Sequence, residues 1–443
     1  MLQLLEQVLA HGVGSRQDLP LPLGYVVAGA VVALVFSFLT LGLAWRSPQL
    51  LSHGAGTPVP SAVATALDHP VTRWLARGVG LVLGGWFVLA LVAGRDDVDN
   101  PAPGMFFVLL WVGLVPASLL LGPVWRVVSP LRTVHLLLAR LLRVDRRHGV
   151  RVLPAAVGYW PGAVSLAAFL WLELAAPGRA TLPVLQVWVG TYVLVHLVAA
   201  VLFGARWFER GEGFEVFSDL VARLSPLGRR EDGALVFRVP LDGAASLRPA
   251  PGLVSVVCLL LGSTMFDSVA GTGGYVRAVQ GSGFPRPVVD TAVLAAVVGL
   301  VLLVFVAATA AAGRAGDRSR AQMPGELAHS LVPVVVGYLV AHYYSLLVLE
   351  GQRTVALASD PLGTGADWLG TAGLQPSAVL VDPAGVALLQ VAAVVVGHVL
   401  GTVLAHDRAL ALLPRRAAVA GQVPLLLLMV GYTVAGLLLL FAG

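Results

Sequence analysis

The stretch LAHSLVPVVVGYLVAHYYSLLVLE, Leu327–Glu350, decides the fold. It holds no Asp, Glu, Lys or Arg before its last residue. A helix rises 1.5 Å per residue and the hydrocarbon core of a bilayer is about 30 Å thick, so a run of this length crosses a membrane. Yet it also carries His329, Pro333, Tyr338, His342 and Ser345, polar or helix-disturbing groups that lipid alone does not accommodate. One segment therefore gives both the class of fold and the first candidates for a site.

Working outward, nine further segments have the same character: Leu23–Trp45, Trp74–Gly94, Gly104–Pro123, Leu153–Ala175, Leu182–Gly204, Leu253–Gly271, Val289–Gly313, Pro383–Leu404 and Val419–Ala442. The composition agrees. Of 443 residues 57% are hydrophobic and 12% charged, with a mean hydropathy of +0.85, where soluble domains carry about 25% charge. These values exclude an ordinary soluble enzyme and a disordered chain alike. Cys258 is the only cysteine, which excludes disulfides and thiolate metal clusters. All 29 basic side chains are arginine, and with the abundance of Ala, Gly, Val and Leu this suggests a GC-rich bacterial genome.

Ten spans define alternating loops, and the arginines sort between them. Twenty-three of the 29 fall in one set of loops and span ends: Arg46 to Arg77, Arg126 to Arg151, Arg206 to Arg248, Arg314 to Arg320 and Arg408 to Arg416. Only Arg16, Arg95, Arg179, Arg277, Arg286 and Arg353 fall in the other. The positive-inside rule then places the rich loops in the cytoplasm and both termini outside, as a multi-pass protein of the bacterial cytoplasmic (inner) membrane. The fold class expected is an all-α polytopic helix bundle.

The order of parts is an external segment 1–22, a first transmembrane half 23–204, a cytoplasmic connection 205–252 and a second half 253–443. Within the external segment, MLQLLEQVLAHG reads as a short interfacial helix, since Glu6 interrupts it and no basic stretch precedes it; the alternative is a signal peptide cleaved after Ala10. Residues 130–144, with leucines against Arg132, Arg140 and Arg143, read as a helix on the membrane surface that favours anionic lipid. Phe214–Leu224 reads as a second amphipathic helix, followed by a short strand in which Leu235, Phe237 and Val239 alternate. Five spans in each half, an odd number, would orient the halves oppositely and suggests an inverted repeat of the kind transporters use.

Ionisable groups inside spans are costly, so each is a functional candidate. On the eighth span Tyr338, His342 and Ser345 share a face, with Tyr343 alongside. Asp267, beside Ser263, Thr264 and Ser268 in GSTMFDS, and Glu173, in FLWLELA, fall at matching depth near the outer ends of spans six and four. His342, Asp267 and Glu173 together form a nitrogen and oxygen donor set for a divalent metal, or a general base with its orienting partner; Tyr338 and Tyr343 would stabilise developing negative charge. The plainer alternatives are interfacial capping for the two carboxylates and a packed, hydrogen-bonded imidazole for His342. His196, His329, His398 and His406–Asp407–Arg408 make a second set toward the cytoplasm, and Gly397 and Gly401 are spaced for close helix approach. His329 and His342, about 20 Å apart along one helix, also raise haem b, with His398 or His406 as the inner partner. Walker A, HExxH, paired CxxC and GxSxG motifs are absent. The basic charge is loop charge and requires no nucleic acid.

AHGVGSRQDLPLPL, VWRVVSPLR, FEVFSDLVARLSPLGRR, GSTMFDS and AHSLVPVVVGYLVAHYYSLLVLEGQ together resemble bacterial polytopic membrane proteins of the fenitrothion hydrolase family. That resemblance implies hydrolysis of a hydrophobic organophosphorus ester, and brings no catalytic residues with it. Three readings follow: a metal-assisted membrane hydrolase centred on His342, Asp267 and Glu173; a proton-coupled small-molecule transporter using His342 and Asp267, completed by His398 or His329; and a subunit holding one haem or a copper ion.

Overall fold

A computed structural model describes residues 18–50, 54–313 and 320–441. The expected interfacial helix at residues 1–12 lies outside these, as do Arg16, Arg314 and Arg318. Among the described residues ten helices are long and apolar enough to cross a membrane, and they meet the ten segments expected. In chain order, with two helices that lie between spans, they are α1 (Leu23–Ala44), α2 (Pro70–Ala93), α3 (Ala102–Leu121), α4 (Pro130–Leu141), α5 (Trp160–Leu174), α6 (Leu182–Phe203), α7 (Gly213–Val221), α8 (Leu253–Ala270), α9 (Arg286–Ala312), α10 (Val332–Leu357), α11 (Pro383–Leu412) and α12 (Val423–Leu440). The chain is an all-α, multi-pass membrane helix bundle. Several starts are written locally. Proline occupies the first turn of α2, α4, α6, α9, α11 and α12, where its missing N–H costs nothing, and Asp382 caps α11 by accepting from Gly385 N at 2.9 Å.

The chain packs as two compact units. One comprises Met1–Ala55, Val239–Leu346 and Val379–Gly443, the other Gly56–Arg238 and Leu347–Ala378. The first contains α1, α8, α9, most of α10, α11 and α12, and is called here the six-span unit; the second contains α2 to α7 and is called the four-span unit. This grouping differs from a five-and-five division at the central connection. The reason lies in α1, whose buried face of Ala30, Leu34, Phe38 and Leu41 packs in a unit where α1 meets α11 and α12.

In the six-span unit α10 and α11 touch backbone to backbone. A Cβ on Gly397 would lie 2.6 Å from Pro333 O, and one on Gly401 2.6 Å from Ser330 O, so the spacing of these two glycines does permit the close approach expected of it. Pro333 marks a change of helix type: a 3₁₀ turn, Ala328–Leu331, leads into α10 at Val332. Cys258 is buried in α8.

In the four-span unit the middle of α3, Met105–Val112, is π-helical. An aromatic core surrounds it, with Trp111 4.3 Å from Phe217 and 4.8 Å from Phe169 between ring centroids, and Phe169 5.0 Å from Phe214. Phe214 and Phe217 belong to α7. That helix does not lie on a surface as its amphipathic pattern suggests: Phe214, Val216, Phe217, Leu220 and Val221 are buried, and so are Glu215 and Ser218 on its polar side. Its polar side meets other polar side chains rather than water, which hydrophobic patterning cannot distinguish. The short strand is present as β3 (Leu235–Phe237), central in an antiparallel sheet between β1 (Thr57–Pro58) and β2 (Leu227–Arg229), with Val236 as its most buried residue. α4 keeps Leu137 and Leu141 exposed, as a surface helix would.

Candidate functional site

Two helices build the site of the six-span unit. α8 places Asp267 and Ser268 one turn before its end, and α10 places Tyr338, His342 and Tyr343 on the facing side. His342 Nε2 lies 2.9 Å from Asp267 Oδ2, and Tyr343 Oη donates to the same oxygen at 2.8 Å. His342 Nδ1 lies 3.3 Å from Ser268 Oγ, which is 2.8 Å from Tyr338 Oη and 3.2 Å from the Thr264 carbonyl. The rings of Tyr338 and His342 are parallel, 8° apart. The result is a continuous chain, Tyr338–Ser268–His342–Asp267–Tyr343. Tyr338, Ser268, His342 and Tyr343 are buried, and Asp267 is the most open at 14% side-chain exposure.

The arrangement accepts two protonation states in place. With one proton, the imidazole donates from Nε2 to Asp267 and accepts the Ser268 hydroxyl at Nδ1. With two, Nδ1–H donates to Ser268 Oγ, whose own proton turns to the Thr264 carbonyl, already within reach. No group is stranded in either state.

A second buried polar system occupies the four-span unit, and its members were largely hidden in the sequence. Trp207 Nε1–H donates to His196 Nδ1 at 2.9 Å, so His196 carries its proton on Nε2, 3.2 Å from Ser165 Oγ. Ser165 also accepts from Gly213 N at 3.0 Å and meets Tyr192, and Tyr192 Oη donates to Glu212. Glu212 caps α7, accepting from Phe214 N at 3.2 Å and Glu215 N at 2.7 Å, and receives Trp125 Nε1 at 3.1 Å. Beside it Glu215 takes a bidentate pair from Arg132, 2.5 and 2.6 Å, while Arg126 bonds Asp219 at 2.5 Å. Burial pushes the Glu212 carboxyl up, against its hydrogen bonds, and pushes Glu215 up to about 7 against Arg132. Asp219 and Glu215 raise Arg126 further. The one sequence signal was Tyr192 and His196, four residues apart on one face of α6.

The other expected residues take separate places. Glu173 belongs to the four-span unit, at the end of α5, where its carbonyl accepts from Arg179. Among the described residues no three His, Cys, Asp or Glu side chains gather as a metal ion needs, so the set His342, Asp267 and Glu173 is not assembled. Ser263 bonds back to the Leu260 carbonyl, and Ser345 is buried on α10. His329 is buried against the backbone of Glu326 and Leu404. His406 spends its two nitrogens on the Trp45 carbonyl and Gln422, Asp407 receives Gln49 N and Leu50 N, and Arg408 pairs with Glu326 at 3.1 Å. That cluster ties segments of its unit together. His398 donates from Nδ1 to the Val394 carbonyl at 2.8 Å, leaving Nε2 without a hydrogen bond among the described residues. Arg132, expected at the lipid surface, turns inward to Glu215. Compared with family profiles, curated proteins and solved structures, the chain matches none.

Proposed function

We propose that the chain is a proton-coupled transporter of a hydrophobic small molecule in the bacterial cytoplasmic membrane, with its arginine-rich loops in the cytoplasm and both ends outside. The observation that carries this reading is His342 set between two groups, Asp267 and Ser268, that each bond it whether it holds one proton or two. A group that exchanges a proton without rearranging its neighbours is what coupling requires, and an intramembrane His–Asp pair is a recurrent way to supply it. The test is charge movement in proteoliposomes on a solid-supported membrane, challenged with a panel of lipophilic cations and organophosphorus esters under an imposed pH gradient. Currents that follow the gradient in the wild type and vanish in His342→Gln support the proposal; solute uptake indifferent to the gradient refutes it.

A second reading is favoured by one feature, the order Asp267–His342–Ser268, in which a carboxylate orients an imidazole that accepts a serine proton. It fits the hydrolase that the sequence resemblance implies and needs no metal. Ser268 Oγ would attack the ester phosphorus or carbonyl carbon, its proton passing to His342 and then to the departing alcohol. Labelling of Ser268 by a fluorophosphonate, lost in His342→Gln, would establish it, and an unlabelled Ser268 in active protein would exclude it. Elemental analysis separates both from the metal-assisted version, which demands an equivalent of metal that His342→Ala loses.

A further inference from the structure

The four-span unit carries a cationic surface that neither buried polar system uses. Trp74, on the second turn of α2, is 41% exposed, and two guanidinium groups lie on its indole: Arg77 at 4.9 Å from the ring centroid, from α2, and Arg140 at 5.6 Å, from α4. The neighbouring arginines have carboxylates. Arg73 pairs with Asp68 at 2.9 Å, Arg229 shares the same Asp68 at 2.5 Å, and Arg132 is held by Glu215. Arg77 and Arg140 have none within ion-pair distance among the described residues, and the charges of Arg73, Arg132 and Arg140 all act on Arg77. Beside the two cations the surface is apolar: Val71 and Leu75 on α2, Leu137 and Leu141 on α4, each about half exposed or more.

We propose that Arg77 and Arg140, with Trp74 between them, form the headgroup site of an anionic phospholipid. The phosphate pairs with two cations that have no carboxylate within ion-pair distance among the described residues, the indole sits at the level of the headgroups, and the acyl chains follow the apolar flank toward the exposed Leu81, one turn further along α2 from Arg77. The exposed apolar flank distinguishes this occupant from a free anion, which has nothing to place there. The inference rests on the helices being membrane spans and is independent of the proton reading; lipid binding and His342-dependent current are separate measurements.

The test uses the full chain in phosphatidylcholine nanodiscs doped with brominated phosphatidylglycerol, reading the part of the tryptophan fluorescence that Trp74→Phe removes. That part should be quenched preferentially by the anionic lipid. Preference should fall about fivefold in Arg77→Gln or Arg140→Gln and about thirtyfold in the double variant. Arg77→Lys with Arg140→Lys should keep most of it, and raised salt should weaken it in the wild type, a control that needs no substitution. Equal quenching by brominated phosphatidylcholine overturns the proposal. So does displacement of phosphatidylglycerol by inorganic phosphate at equal concentration, which would assign the cations to a free anion.

Discussion

The two units contain almost the same chemical parts and use them oppositely. Each has a carboxylate, a histidine, a serine and a tyrosine in one hydrogen-bonded chain: Asp267, His342, Ser268 and Tyr338 in the six-span unit, and Glu212, His196, Ser165 and Tyr192 in the four-span unit. In the second, every donor runs one way, from Trp207 through the imidazole and the serine to a carboxylate already fixed by backbone N–H groups. A further proton on His196 Nδ1 would face the indole N–H, a donor with no acceptor to offer. In the first, both nitrogens of His342 face groups that accept. The lock around His196 and the relay through His342 thus differ at both nitrogens of the imidazole: at Nδ1 an indole that can only donate stands where His342 has a serine that does either, and at Nε2 His196 meets Ser165 where His342 meets the carboxylate of Asp267.

That comparison can be broken at several points. The largest effect belongs to the lock. Arg132→Leu leaves Glu215 fully buried without its bidentate partner and should cost about 3–5 kcal/mol, read as a lowered midpoint of denaturant unfolding in detergent; a loss under about 1 kcal/mol would show that Arg126 alone suffices. In the relay, Asp267→Asn should cost less, about 1.5–3 kcal/mol, while abolishing any pH-driven current, because the imidazolium loses its counter-charge. An unaltered current would detach Asp267 from function. Trp207→Phe, worth about 1 kcal/mol in stability, is the sharper experiment. It removes the donor at His196 Nδ1, and ¹⁵N NMR of histidine-labelled protein in lipid should then show the His196 proton shared between Nδ1 and Nε2 instead of fixed on Nε2. If the proton stays on Nε2 alone, the indole is not what fixes the tautomer. The smallest effect is a pH slope. His135, buried in α4, is held below 6.5 by burial and then by the charge of Arg132. A lowered folded value means that the unfolded chain binds the proton first, so stability present above about pH 6.5 is lost as the pH falls toward the folded value. The loss should stay under about 1 kcal/mol between pH 6.5 and 5.5, and His135→Leu should flatten it.

The sequence made the relay legible and the lock nearly invisible, for a physical reason. Asp267 and His342 interrupt runs that are otherwise apolar, and an ionisable group in such a run is too costly to lack a partner, so Tyr338, His342, Tyr343 and Asp267 could be singled out before their contacts were known. Ser268 was visible only as a neighbour of Asp267; that it bridges His342 and Tyr338 depends on how α8 faces α10. In the four-span unit the partners come from α5, α6 and the segment leading into α7, and Glu212 and Glu215 lie in a region whose charge resembles an ordinary solvated loop. Patterning reports that α7 has two faces but not what covers the polar one. Glu173 illustrates a different limit of the sequence. Similar depth suggested a shared site with His342, yet depth along a helix says nothing about which helices are neighbours.

Cys258 gives the relay helix its own clock. It is buried in α8, nine residues before Asp267, and the chain has no other thiol. A maleimide can therefore react at one place only, and only when that stretch of α8 opens. Where closing outruns labelling, the rate of modification measures the opening equilibrium of the helix that carries Asp267 and Ser268. Slow modification that quickens under a pH gradient would mean that the helix bearing the relay moves when the proton does, whereas a rate indifferent to the gradient would make α8 a fixed wall past which protons hop.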